Sequence, residues 1–153
     1  MTTEESVELR PGDVLEMRLV DVLTRTQIVQ YAGASGDYNP LHTDEPFART
    51  VGGSPTVFAH GMLTMGMTGR LLTEWFGAER IVSYSARFVA QVWPGDTLTA
   101  RATVEAVDST EDTPRATLAL QTTNQRDEVV LSGTAVVRPE NHTERSESDV
   151  RID

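Results

Sequence analysis

Between Ile81 and Val137 apolar residues recur at every second position over long stretches, and the segment before them, Phe58 to Phe76, is apolar or small on nearly every side. A period of two marks strands with one covered face, whereas an all-round apolar helix has to be enclosed. Val82, Tyr84, Ala86, Phe88, Ala90 and Val92 share one face, with Ser83, Ser85, Arg87 and Gln91 on the other. Trp93-Pro-Gly-Asp96 turns the chain. Leu98, Ala100, Ala102, Val104 and Ala106 then repeat the pattern, as do Ala116, Leu118 and Leu120, and Val129, Leu131, Ala135 and Val137. The expectation is four consecutive strands in an antiparallel meander. The Phe58–Phe76 segment contains Gly61, Gly66 and Gly69, each costing a helix about 1 kcal/mol relative to alanine. The four-residue spacing of Leu63, Met67, Leu71 and Trp75 still predicts helix, with the glycines allowing close approach of strands. Met62, Met65 and Met67 read as core packing. One such helix and one sheet imply an α+β domain in which the sheet wraps the helix.

The N-terminal third is punctuated clearly. Pro11-Gly-Asp13 reads as a turn, and Leu15, Met17 and Leu19 alternate with Glu16 and Arg18 in an edge or half-buried strand over Val14 to Asp21. Thr24-Arg-Thr-Gln27 is a capping box, opening a short helix that should stop in Gly33-Ala-Ser-Gly36. Asp37 to Leu41 is then loop, and Asp44-Glu-Pro46 opens a helix of about two turns closed by Gly52-Gly53. Residues 1–138 are expected to form a single domain. From Pro139 to Asp153 the chain carries five acids and two arginines with only Val150 and Ile152 as aliphatics, so an acidic, disordered tail is expected.

Charge removes several functions. Thirteen basic residues, all arginine, face twenty-three acidic ones for a net charge of -10, which repels nucleic acid and anionic lipid surfaces. No run approaches the roughly eighteen apolar residues of a membrane helix, and the first residues lack the basic and apolar regions of a signal peptide, so a cytoplasmic location is expected. With no cysteine there is no disulfide, thiolate metal site or thiol nucleophile. Phosphate-cradling, dinucleotide-binding and nucleophile-elbow motifs are missing. With three histidines and no H-E-x-x-H spacing, Asp37, His42, Asp44 and His60 are not expected to hold a metal, and no cofactor is expected.

Asp37 and His42 are the first candidates for chemistry. On a helix they would lie ~140° apart and could not cooperate. Pro40 disfavours helix at Asn39, so Asp37-Tyr-Asn-Pro-Leu-His42 can fold back and bring carboxylate and imidazole toward one point, a general acid/base pair holding one water. The plain alternative is a turn-capping Asp37 and a backbone-bonded His42. The second element is Ala59-His-Gly-Met-Leu63, at the start of the apolar helix. First-turn amides have no helical acceptor, so the Gly61 N–H can serve an oxyanion; equally, Gly61 can be a packing glycine. His60 by itself reads as a structural or cap-region residue.

Tyr31-Ala-Gly-Ala-Ser-Gly-Asp-Tyr-Asn-Pro-Leu-His-Thr-Asp44, Ala59-His-Gly-Met-Leu-Thr64, Ala86-Arg-Phe88 and Pro94-Gly-Asp-Thr97 resemble the MaoC-like hydratase and dehydratase family over roughly Leu9 to Arg138. That family includes the (R)-specific enoyl-CoA hydratases and the mycobacterial (3R)-hydroxyacyl-ACP dehydratase B-type subunits. The resemblance implies a hot-dog fold, its antiparallel sheet wrapped around a long central helix, and a dimer with an acyl thioester of CoA or acyl carrier protein at the subunit interface. A homodimer is expected, a heterodimer being the variant arrangement. Asp37 and His42 would be catalytic, and the Gly61 amide would hold the thioester oxygen. Tyr38, Asn39, His60, Met62 and Arg87 would bind substrate, Asn39 by orienting the loop or one member of the pair. Arg49, Arg70, Arg80 and Arg87 are candidates for a phosphate-bearing arm. The implied reaction is reversible hydration of trans-2-enoyl thioesters to (3R)-hydroxyacyl thioesters. A hot-dog acyl thioesterase and a non-catalytic acyl-thioester binding subunit are the alternatives.

Overall fold

The computed structural model describes residues 9–110 and 113–139. Its elements run β1 (Val14–Val20), α1 (Arg25–Ser35), α2 (Glu45–Thr50), α3 (Gly61–Phe76), β2 (Ile81–Phe88), β3 (Leu98–Asp108), β4 (Arg115–Thr123) and β5 (Val129–Val137). All strand pairs are antiparallel in a five-stranded sheet of order β1-β3-β4-β5-β2. The sheet packs on α3 through β1, β2, β3 and β5, which is the expected hot-dog arrangement. The acidic tail, apart from Pro139, lies outside the described residues.

Local signals hold where the chemistry is local. Thr24 and Gln27 make both bonds of the capping box, and Gly36 ends α1 at φ +75°, a left-handed conformation that glycine adopts without a Cβ clash. Asp44 caps α2 by accepting from the Phe47 N–H.

Three expectations are corrected by tertiary pairing. The meander is three strands, not four: β2 pairs with β5 at the far edge of the sheet, away from β3. The predicted strand from Ile81 to Val92 ends at Phe88, because the Val89 and Ala90 amides both reach the Val130 carbonyl, at 2.9 and 3.3 Å, and break the ladder. Val92 instead accepts from Ala59 at 2.8 Å, which directs the chain to the start of α3. In β3 the register shifts between Val104 and Ala106, so Ala106 is exposed and Val107 turns toward the core. A second shift, between Thr122 and Thr123, buries Val130 beside Leu131.

The core joins Leu71 and Leu72 of α3 to Leu98, Ala100, Ala102 and Val104 of β3, Leu118 and Leu120 of β4, and Ala135 and Val137 of β5. Leu71 and Leu72 are fully buried, each contributing about 1.5–3 kcal/mol. Alanines along β3 keep the helix close to the strand. The helix starts at Gly61 rather than Phe58 and is not enclosed all round, since one curved sheet covers only one side. Trp75 and Met62 are exposed, the latter against the expectation of core packing. Of the helix glycines, Gly61 and Gly69 do approach strand side chains, Phe88 and Tyr84, whereas a Cβ at Gly66 would meet open space. Inside the sheet-facing side, the Thr68 hydroxyl donates to the Thr64 carbonyl at 2.9 Å and lies 2.6 Å from Thr122 Oγ1 of β4.

Candidate active site

The loop between α1 and α2 is folded by its own side chains. The Asp37 N–H donates to Ser35 Oγ at 3.2 Å, and Asp37 Oδ1 accepts from the Asn39 N–H at 3.2 Å. Asn39 Oδ1 accepts from Leu41 N–H at 3.0 Å, capping a single 3-10 turn over Pro40–His42, whose first residue is already fixed in φ by its ring. His42 N–H closes the turn on the Asn39 carbonyl at 3.0 Å. Asn39 therefore shapes the loop with its side chain. The effect on Asp37 and His42 is the fold-back that Pro40 required: ligand atoms of Asp37, His42 and His60 all lie within 4.8 Å of one another.

The hydrogen bonds fix the tautomers. His42 Nδ1 is 2.6 Å from the Phe58 carbonyl, and a carbonyl only accepts, so Nδ1 carries the proton and Nε2 is left with a free lone pair. His60 Nε2 donates to the Asp37 carbonyl at 3.0 Å by the same logic. His60 Nδ1 is enclosed with no partner among the described residues. The acceptors that the cluster offers are thus His42 Nε2 and the Asp37 carboxylate, a pair suited to one water held between them. With the other histidine nitrogens committed or enclosed, the three residues do not fit a metal ion.

Burial holds His42 below its ordinary pKa of 6.5; the Phe58 carbonyl opposes this, the His60 ring adds to it and the Asp37 carboxylate opposes it. The imidazole is consequently neutral at neutral pH. Its ring is framed by Phe58, edge-on at 5.1 Å, which in turn meets Trp93 at 5.9 Å. These aromatics, and the Phe58 carbonyl above all, were not among the residues expected from sequence. A backbone oxygen has no signature in a residue string.

Gly61 occupies the first position of α3, and its N-cap, His60, offers no side-chain cap bond. The Gly61 N–H therefore has no helical acceptor, and the helix dipole reinforces it as an anion donor. A steric reason for glycine is also present, since a Cβ here would lie 2.9 Å from ring atoms of Phe88. Tyr38 is 69% and Met62 55% exposed, each next in sequence to a site residue. His60, by contrast, is 2% exposed. Arg87 lies exposed on β2 beside Phe88 and forms no ion pair among the described residues. The other three arginines are engaged: Arg49 with Glu45 at 2.7 Å, Arg70 with Glu74 at 2.9 Å and Arg80 with Glu79 at 3.4 Å.

A family model described as the MaoC like domain matches residues 6–126. The chain belongs to the MaoC-like family. Among MaoC-like relatives, 3-hydroxyacyl-thioester dehydratase Y of Mycobacterium tuberculosis is 42% identical over 82 residues, covering 52% of this chain and 28% of that protein. The chain thus spans under a third of that relative's length. The solved (R)-hydratase from A. caviae involved in PHA biosynthesis has a TM-score of 0.76 and 29% identity, covering 88% of this chain and 99% of its own. A chain of the ChsH1-ChsH2 complex from Mycobacterium tuberculosis has a TM-score of 0.74 and 25% identity, covering 87% of this chain and all (100%) of its own. The MaoC-like resemblance carried by the Asp37–His42 loop and the Ala59–Thr64 segment is borne out.

Proposed function

We propose that this chain catalyses the reversible addition of water to a trans-2-enoyl thioester, giving the (3R)-hydroxyacyl thioester. The observation that carries this reading is the convergence of the Asp37 carboxylate with the bare Nε2 of a neutral His42. A water between them has an acceptor for its proton. Its oxygen forms a bond to Cβ, the double bond's electrons pass to Cα and the thioester oxygen, and the Gly61 N–H stabilises the charge on that oxygen. A proton from the pair then goes to Cα on the same face, which restores the thioester and the resting protonation state. Dehydration is the reverse path. The (R) product is assigned by similarity to the (R)-hydratase of A. caviae.

Substrate chemistry supports the remaining assignments. The acyl carrier is CoA or a carrier protein, its phosphates meeting Arg87, and Tyr38 and Met62 contact the thioester or its acyl chain. The location that goes with this reading is the cytoplasm, where such carriers are available. β2 is an edge strand, Val82 and Phe88 on it and Val89 just past it are exposed, and Phe88 lies against Gly61, which supports pairing with a second copy. A heterodimer of the ChsH1-ChsH2 kind is the variant outcome. Assay of crotonyl-CoA and longer enoyl-CoAs should show loss of conjugated-enoyl absorbance with no free thiol. Thiol release without hydration would establish the thioesterase instead, and binding without either reaction would establish a binding subunit.

A further inference from the structure

His60 is too deeply enclosed to reach a thioester, yet it touches both members of the acid/base pair. Its Nε2–H holds the Asp37 carbonyl, and its ring stacks on that of His42 with centroids 3.8 Å apart and planes at 29°. Tyr31 of α1 packs against it edge-on at 4.9 Å. The Asp37 carbonyl only accepts, so the His60 ring carries an N–H on Nε2, while its enclosed Nδ1 has no partner among the described residues. Leaving Nδ1 unpaired carries a desolvation cost that an aliphatic or phenyl side chain would avoid. What those side chains lack is the N–H to Asp37. His60 is also bonded directly to Gly61, so one residue joins the loop to the first amide of α3.

We infer that His60 is a positioning residue, which fixes the Asp37–His42 loop relative to the α3 N-terminus so that the water-holding pair and the Gly61 N–H meet the same substrate in register. The inference rests on the hydration reading and adds a residue that acts through Asp37 and His42 without touching substrate. Misplacing the pair by a fraction of an ångström leaves carrier binding intact but separates attack at Cβ from charge stabilisation at oxygen. The loss belongs in kcat.

The test uses two isosteric half-replacements. The amide nitrogen of His60→Gln reaches the place of Nε2 and keeps the donor, whereas that of His60→Asn reaches only the place of Nδ1. With crotonyl-CoA, His60→Asn should lower kcat roughly tenfold or more with KM within about threefold, and His60→Gln should recover most of kcat at a comparable melting temperature. Native-state hydrogen exchange gives a readout independent of turnover: the Leu41 and His42 amides should exchange about tenfold faster in His60→Asn than in His60→Gln. Equal kcat in the two variants with equal loop exchange would overturn the inference. So would a rise in KM at unchanged kcat, which is the mark of a substrate contact. Asp37→Asn is run alongside. If it turns over substrate within a few-fold of wild type, the hydration reading of the pair has failed, while the exchange pattern still decides whether His60 holds the loop.

Discussion

The imidazoles of His42 and His60 lie nearly parallel, 3.8 Å between centroids, and donate in different directions, His42 to the Phe58 carbonyl and His60 to the Asp37 carbonyl. Each ring thereby spends its proton on the backbone. The consequence is that His42 Nε2 keeps a bare lone pair in a cluster where ligand atoms of His42, His60 and Asp37 lie within 4.8 Å of one another.

The first prediction follows from the proposal that Asp37 and His42 share one water. Asp37→Asn keeps size but cannot take a proton, and His42→Ala removes the partner, so each should lower kcat by ~10² or more. The double variant should lose little beyond the worse single one, because the two act as a unit. Steady-state kinetics on enoyl-CoA checks this, with thermal melts to confirm that all three fold. A full additive loss would mean independent tasks.

pH dependence supplies the second. In the proposed mechanism His42 acts as a base while neutral, and burial holds it below 6.5, so the acid limb of kcat/KM should fall below pH 6.5. The sign for stability is the same. Because the unfolded chain takes the proton more readily, the contribution of His42 is fully present above 6.5 and is lost as pH falls through the lowered folded value. His42→Gln should flatten the melting temperature over that window. An inflection of kcat/KM at or above the ordinary value would contradict the burial argument.

A third prediction concerns the buried hydroxyls between α3 and β4. The Thr68 proton goes to the Thr64 carbonyl, so Thr122, with no exposed surface, donates to Thr68. Thr68→Val leaves the Thr122 hydroxyl orphaned and should cost about 1–3 kcal/mol, whereas Thr122→Val leaves Thr68 satisfied and should cost less. Urea unfolding of both singles and the double resolves this, the double lying nearer Thr122→Val than the sum.

Backbone contact gives the fourth. A Cβ at Gly133 of β5 would fall on the Ser85 carbonyl oxygen and lie 3.2 Å from Ala86 Cα, both backbone atoms of β2. Gly133→Ala should therefore destabilise by about 1–3 kcal/mol or more and loosen β2, since backbone cannot move aside as a side chain can. Amide exchange along β2 and denaturant melts measure it. Gly66→Ala, with nothing near its Cβ, should instead be neutral or stabilising.

Assembly is the fifth. Val82 on β2 is 39% and Val89 just past its end 54% exposed, and a charge there should disrupt pairing of two copies. Light scattering at micromolar concentration is expected to show a dimer for wild type and a monomer for Val89→Asp. A monomeric wild type would remove the proposed interface.

The sequence by itself determined what depends on neighbours along the chain. Thr24 and Gln27 announce a helix start, Gly36 its end, and Pro40 with Asn39 compels a turn that carries Asp37 toward His42, because each involves hydrogen bonds or dihedrals within a few residues. The α+β class was legible from the change of period between Trp75 and Tyr84, and the hydratase-type loop from its residues. Tertiary structure alone decided the rest. Period two says which face of β2 is apolar but not which strand it pairs with, so its place beside β5 could not be read. One bulged residue reverses every side chain beyond it, as between Val104 and Ala106. The enclosure of His60, the bare nitrogen of His42 and the ring of Phe88 against Gly61 arise from segments far apart in sequence, held together by a core that forms only when α3 and the sheet close on each other.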